Sequence, residues 1–272
     1  MNERTRIRLP LRLWAGVAAL LLVAPTLVVI PLSLTDKRSF AFPIEGWSLQ
    51  WYENFFTDPR WLNSLGTSLA LACVVGVVAT VMGTLAALGL RGLRARLASA
   101  AQITMMLPIL IPGIVAAIAI FGMYLRWGLN GSPLGIALAH IALAIPFVLI
   151  PVTTALRGLD ETQIRAAAVL GAGPVARFTQ VQLPVLLPGI MTGFIFAFVT
   201  SLDEVVVAYF LQSPTVRTLP VQMYSSVTVE TDPSIAAAST LLLVLSTLII
   251  LIPRLVQVVH ERRSAQRLGD AV

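Results

Sequence analysis

Apolar positions in this chain come in long unbroken blocks rather than in alternation with polar ones. Runs cover Leu13–Leu34, Trp61–Leu90, Met105–Leu125, Leu134–Leu156, Val185–Leu211 and Ser234–Ile252. Each is at least about as long as the roughly 20 residues that cross a bilayer core as a helix. A transmembrane barrel would need short alternating strands, and an unpaired backbone amide in lipid is too costly for any other open structure. The pattern predicts an all-α membrane protein of six transmembrane helices. The first run is too long for a signal peptide and lacks a small-residue cleavage site, so it reads as a retained span.

One long segment between the runs, Arg157–Pro188, is polar and yet patterned. Asp160 suits a helix N-cap, with Gln163 placed to reach back as in a capping box. Ile164, Ala167, Ala168 and Leu170 follow at helical spacing. Gly171 supplies a left-handed stop, and Gly173-Pro174 opens a second short helix that Gln182-Leu183-Pro184 ends. The expectation is helix, glycine elbow, helix. Elsewhere, L-P-x-L-x-P-G-I occurs at 107–114 and again at 183–190, where the chain would enter the membrane from one side. Both read as helix-entry signals, with a kink at Pro108 and Pro112 as the alternative for the first. Ala79-x-x-x-Gly83 and Gly83-x-x-x-Ala87 have the small-residue spacing that brings helices close, either within the subunit or across a dimer.

Composition agrees with the pattern: 57% of residues are hydrophobic and 12% charged, against about 25% charged in soluble domains. The net charge of +6 comes from where the arginines sit. Four precede the first run, three lie at 91–96, three in the 157–188 segment and four in the tail, while the alternate loops hold five Lys and Arg. The positive-inside rule then places both termini and the 157–188 segment in the cytoplasm. Nucleic acid is not needed to explain the charge. Cys73 is the single cysteine, so there is neither a disulfide framework nor a zinc site.

The catalytic classes find little support. A P-loop needs G-x-x-x-x-G-K-[ST], and the only lysine is Lys37, without a glycine-rich lead. His260-Glu261 lacks the second histidine of a metalloprotease. Ser132 and His140 could in principle serve an intramembrane serine protease. Ser132, however, sits in a Gly-Ser-Pro turn, and His140 reads better as a hydrogen-bonded packing residue. Asp203-Glu204 is the conspicuous pair. Counted from Pro188, Asp203 lies about 22 Å along the fifth span, where an acid costs on the order of 3 kcal/mol. Such an acid serves either a solute path or an ion pair or hydrogen bond with another helix, with Arg126 or a residue of a partner subunit as candidates. For Glu204, pairing is the expected role.

The spacing Ala166-Ala167, Gly171, nine residues, Val181-Gln-Leu183-Pro184 resembles the E-A-A loop of permease subunits of binding-protein-dependent ABC importers. The S-L-x-W-Y cluster at 48–52 is similar to the same family. That resemblance implies a type I ABC importer permease fold with the 157–184 segment as the coupling loop that seats in an ATPase subunit. Its coupling residues would be Glu161, Arg165, Ala166, Ala167, Gly171, Leu183 and Pro184. Arg165 stands where the family has glutamate, and Glu161, one turn earlier, is the available acid. Phe198-x-x-Ser201-Leu-Asp203-Glu204-Val, with Thr218-Leu-Pro-Val-Gln-Met-Tyr224, resembles the spermidine/putrescine branch. This implies a path for a small cationic solute, with Asp203, Glu204, Tyr209, Trp127 and Tyr224 as candidate lining and cation–π partners.

The resemblance spans about Pro31 to Pro253. It implies an N-terminal segment with the first span and outer loop at 1–60, a transmembrane domain at 61–256 and a cytoplasmic tail at 257–272. The implied setting is a multi-pass protein of the inner membrane, not itself an enzyme and without a cofactor of its own. ATP and Mg would be bound by a pair of ATPase subunits. A second, homologous permease and an extracytoplasmic solute-binding protein would complete the importer. Other small solutes, namely amino-acid derivatives, aminophosphonates or metal ions, fit the same class. A self-sufficient secondary transporter is the alternative from outside it.

Overall fold

The structure is a computed structural model that describes the backbone of residues 3–38, 43–230 and 232–269, and side chains at 11–24, 26–38, 43–228 and 232–251. Helix dominates, and among the described residues the only β pairing is an isolated bridge between Thr35 and Trp47. In order the α-helices are α1 Glu3–Leu32, α2 Gln50–Thr57, α3 Pro59–Arg91, α4 Ala95–Leu110, α5 Gly113–Trp127, α6 Pro133–Arg157, α7 Glu161–Val169, α8 Pro174–Arg177, α9 Leu183–Leu202, α10 Val206–Leu211, α11 Leu219–Ser225 and α12 Ser234–Gly269. Two π-helical stretches, Phe178–Gln182 and Ser226–Glu230, follow α8 and α11. Four helical stretches are long and apolar enough to cross a membrane, and six are if each sharply bent pair counts as one span.

The chain divides into two compact units. The first comprises Met1–Leu62 and Met223–Val272. Here α2, which starts within the S-L-x-W-Y cluster and holds its Trp51 and Tyr52, is tied down by its polar atoms: Trp51 Nε1 donates to the Thr35 carbonyl at 2.7 Å, and Tyr52 Oη lies 2.7 Å from Ser33 Oγ. Asn54 reaches Ser234 at the start of α12 at 2.6 Å. Phe55 and Trp61 are fully buried behind these bonds.

The second unit, Asn63–Gln222, is built around α6. Ser132 caps α6, its Oγ accepting from Gly135 N at 3.0 Å. That bond and its donation to the Leu129 carbonyl use the hydroxyl a nucleophile would need. Val148, fully buried in α6, is held between two glycines. A methyl on Gly83 of α3 would stand 2.7 Å from Val148 Cβ, and one on Gly193 of α9 would stand 3.1 Å from its Cα. The small-residue spacing in α3 therefore serves packing within the subunit. Lipid tails are as apolar as these side chains, so close van der Waals fit rather than water exclusion holds such helices together. The matching spacing in α9, Gly189-x-x-x-Gly193, packs against the same helix, α6.

The breaks in the spans correct three expectations. The expected third span, Met105–Leu125, is two helices: α4 and α5 meet at 99° across Ile111-Pro112. Pro112 has no amide to continue the ladder and forces Ile111 into extended backbone, φ −79° and ψ 127°. The second short helix of the 157–188 segment does not end at Pro184. It passes through the π-helical stretch, where Leu183 N bonds the Phe178 carbonyl, and continues as α9. Pro184, the second residue of α9, follows directly on that π-helical turn. The fifth span is not continuous to Leu211: α9 ends at Leu202 and α10 starts at Val206. The repeated L-P-x-L-x-P-G-I thus has two outcomes, a break at Pro112 and an unbroken helix through Pro188.

Candidate functional site

Two sites in the second unit gather most of the residues singled out in the sequence. The first is the elbow between α7 and α8. Asp160 caps α7, its Oδ1 accepting from Thr162 N at 2.8 Å. The Gln163 side chain makes no return bond, so this is an Asx-type cap rather than a capping box. Gly171 takes φ +85°. Its amide bonds the Ala168 carbonyl and that of Ala172 bonds Ala167, both at 3.0 Å. Those two bonds are the Schellman closure, which needs a left-handed residue at the glycine position. Ile164 and Phe178 pack inward against the core. Val169, Leu170 and Val175 point away, 88%, 87% and 75% exposed, giving the elbow an apolar crest.

Glu161 sits between two arginines. Arg165 Nη2 lies 2.9 Å from one carboxylate oxygen, and Arg91 Nη2, in the last turn of α3, lies 3.4 Å from the other. The hydrogen bond from Arg165 is the largest influence holding the Glu161 carboxyl below its ordinary value, with the charges of both arginines adding to it. The Thr162 amide holds Asp160 below its own. Arg165, in the place of the family glutamate, is thus the ion-pair partner of the acid one turn earlier. Ala166, Ala167 and Gly171 belong to this elbow, while Leu183 and Pro184 lie beyond the π stretch at the start of α9.

The second site is the interruption between α9 and α10. Asp203 is the C-cap of α9. Glu204 folds its carboxylate onto α10, Oε1 accepting from Val207 N and Oε2 from Ala208 N, each at 2.8 Å. A helix start has unsatisfied amides, and a carboxylate there also complements the helix dipole. Beneath the break lies His140 of α6, 1% exposed. Its Nδ1 is 2.9 Å from Ser201 Oγ, and its Nε2 is 3.4 Å from Glu204 Oε2. The structure therefore gives Glu204 a partner in His140, not Arg126. Asp203 is exposed, and among the described residues no side chain pairs with it. Arg126 is likewise exposed and pairs with nothing described.

The aromatic candidates divide between the units. Trp127 is exposed at the end of α5 and stacks on Tyr124, ring centroids 6.4 Å apart. Tyr209 is exposed on α10 beside Phe210, 6.2 Å away. Tyr224 is exposed but belongs to the first unit. The T-L-P-V-Q stretch is mostly buried: Leu219 N bonds Ser68 Oγ at 2.7 Å, and Arg217 donates to Gln222 and Gln212, both at 3.1 Å. Sequence reasoning missed His140 as a partner of Glu204, since the two are far apart in the chain and no local pattern joins them.

Comparisons with known proteins agree with one another. Residues 79–266 match the family described as binding-protein-dependent transport system inner membrane component. The chain is 31% identical over 254 residues to the putrescine transport system permease protein PotI of Escherichia coli K12, covering 89% of each. It is 29% identical over 235 residues to the spermidine/putrescine transport system permease protein PotC of the same organism, covering 86% of this chain and 89% of that one. Its fold is similar to a chain of a bacterial ABC transporter that imports the acidic polysaccharide alginate, with TM-score 0.68 at 16% identity, covering 94% of this chain and 98% of the other. With a family match over more than two thirds of its length, laid on helices long and apolar enough for several spans, the chain belongs to the inner membrane components of binding-protein-dependent transport systems.

Proposed function

We propose that this chain forms half of the translocation path of an ATP-driven importer for a small cationic solute, a polyamine such as putrescine or spermidine. A second homologous permease supplies the other half. Two ATPase subunits bind ATP and Mg, and an extracytoplasmic binding protein delivers the solute. Both termini and the α7–α8 elbow face the cytoplasm, as the arginine distribution indicates. ATPase closure pushes on the elbow, and the attached helices rock to open the path to the other side.

The observation that carries the cationic solute is Asp203. It is an exposed carboxylate at an interruption of a membrane helix, with no described cation beside it. A charge placed in a span is normally directed to a cavity or a partner, and an ammonium group is the natural complement. Relatives named for putrescine and spermidine transport, matched over most of the chain, support the same reading.

The test is uptake of radiolabelled putrescine by the assembled importer in vesicles, with and without internal ATP. ATP-dependent uptake competed by spermidine is expected. Uptake without ATP or ATPase subunits would instead favour a secondary transporter. A reporter active only outside the cytoplasm, fused after Val272, should stay silent.

A further inference from the structure

The interruption at Asp203-Glu204 has no proline and no glycine to impose it. Helix breaks in the middle of an apolar segment normally have such a cause, and the nearest proline within α9 is Pro188. Val205, between the two helices, still has helical backbone angles, φ −107° and ψ −45°. Asp203 and Val205 both lie in the right-handed helical region, so neither of these two residues turns α9 away from α10. What holds them apart is side-chain chemistry: the Glu204 carboxylate occupies the amides of Val207 and Ala208, where a continuing helix would place carbonyls of the preceding turn.

His140 braces both sides of that break. One ring nitrogen meets Ser201, in the last turn of α9, and the other faces Glu204, which caps α10. Electrostatics selects the tautomer. A lone pair on Nε2 would face a carboxylate, so Nε2 carries the proton and Nδ1 accepts from the Ser201 hydroxyl. Both Ser201 and His140 are almost completely buried, 4% and 1% exposed. With little solvent to substitute for the Ser201 bond or for the 3.4 Å approach to Glu204, the geometry at the break depends on the ring.

We infer that His140 is a positioning residue of the translocation path: through Glu204 it keeps the α9–α10 helix interrupted, so that the Asp203 carboxylate stands open to the solute. His140 itself does not touch the solute. The inference rests on Asp203 lying in the path, and not on the solute being a polyamine.

Two isosteric replacements separate the two nitrogens. The amide of Gln can reach the place of Nε2, and that of Asn the place of Nδ1. His140→Gln therefore keeps a donor towards Glu204, while His140→Asn keeps only the bond to Ser201. In the complete importer, with Cys73→Ala removing the native thiol, a cysteine placed by Asp203→Cys reports the break through its rate of labelling by a charged thiol reagent. Labelling should slow about tenfold with His140→Asn and change little with His140→Gln, the size expected for removing a buried polar neighbour from a charged group. With Asp203 intact, His140→Asn should raise the KM for putrescine by a similar factor and leave the maximum rate within about twofold.

Equal behaviour of the two variants in labelling and in KM would overturn the inference. So would loss of assembled importer in both, which would make the ring a packing element only. The labelling contrast does not depend on the solute. If it holds in an importer that takes up no putrescine, the positioning role stands and the polyamine reading fails.

Discussion

Gly189 of α9 lies directly against the carbonyl of Pro151 in α6: a methyl group on Gly189 would stand 2.8 Å from that oxygen and equally close to Ala155 Cβ. The oxygen is backbone and cannot swing aside. Gly189→Ala should therefore force the two helices apart, an overpacking cost of roughly 1–3 kcal/mol. Thermal unfolding of the purified complex checks this. The midpoint should drop clearly for Gly189→Ala and little for Gly122→Ala, where an added methyl has no neighbour within 4 Å.

The elbow offers a paired test within three residues. Gly171 is left-handed, whereas Gly173 has φ −66° and open space around it. A side chain at Gly171 costs about 1–2 kcal/mol in backbone strain alone and would disturb the crest formed by Val169 and Leu170. Gly171→Asp should leave membrane insertion intact while uptake is lost and ATP hydrolysis no longer follows the binding protein. Gly173→Ala should transport normally. Normal uptake by Gly171→Asp at wild-type levels would remove the elbow from energy coupling.

Acid should loosen α7, and neutral pH should not. Asp160 and Glu161 both have carboxyls held below their ordinary values of 3.8 and 4.5. A depressed folded-state value means that the stabilising contribution is complete above the ordinary value and lost as pH falls through the depressed one. The cap and the ion pairs should thus be constant from about pH 5 to 8. Carboxyl carbon shifts followed by NMR would check this. Arg165→Ala should bring Glu161 back towards 4.5, because the Arg165 hydrogen bond is the largest cause of its shift.

How much of this was legible beforehand depends on the range of the interactions. The spans could be read because twenty apolar residues in a row carry their own meaning. The elbow could be read because its signals, Asp160, Gly171 and Pro174, act on amides within a few residues. The 99° turn at Pro112 is a local effect too, although the identical proline pattern at Pro188 leaves its helix intact. The break at Asp203-Glu204 was not legible. It depends on a carboxylate folding forward onto its own next turn and on a histidine from another helix, His140, and helical periodicity reports neither. For the same reason Arg126 was a plausible partner by sequence, and the structure gives the contact to His140 instead.

Asp203 and Glu204 are adjacent, yet the structure gives them separate surroundings, and that separation yields the sharpest test. Glu204 uses both oxygens on α10. Its replacement by Gln should weaken the cap and so act through the shape of the break. Asp203 caps no helix with its carboxylate and pairs with no described cation, so its replacement by Asn changes charge at nearly constant size. In a low-dielectric path the attraction between a carboxylate and an ammonium far exceeds that offered by an amide. Asp203→Asn should therefore cut putrescine uptake by roughly tenfold or more, while the complex still assembles and the binding protein still stimulates ATP hydrolysis. Asp203→Glu, which restores the charge, should recover part of the rate. A merely structural acid would behave otherwise, with Asn and Glu both lowering assembly and neither changing uptake per assembled complex. Unchanged uptake by an assembled Asp203→Asn importer would take the charge out of the path, and with it the main physical reason for a cationic solute, without touching the membership of the chain in its transport family.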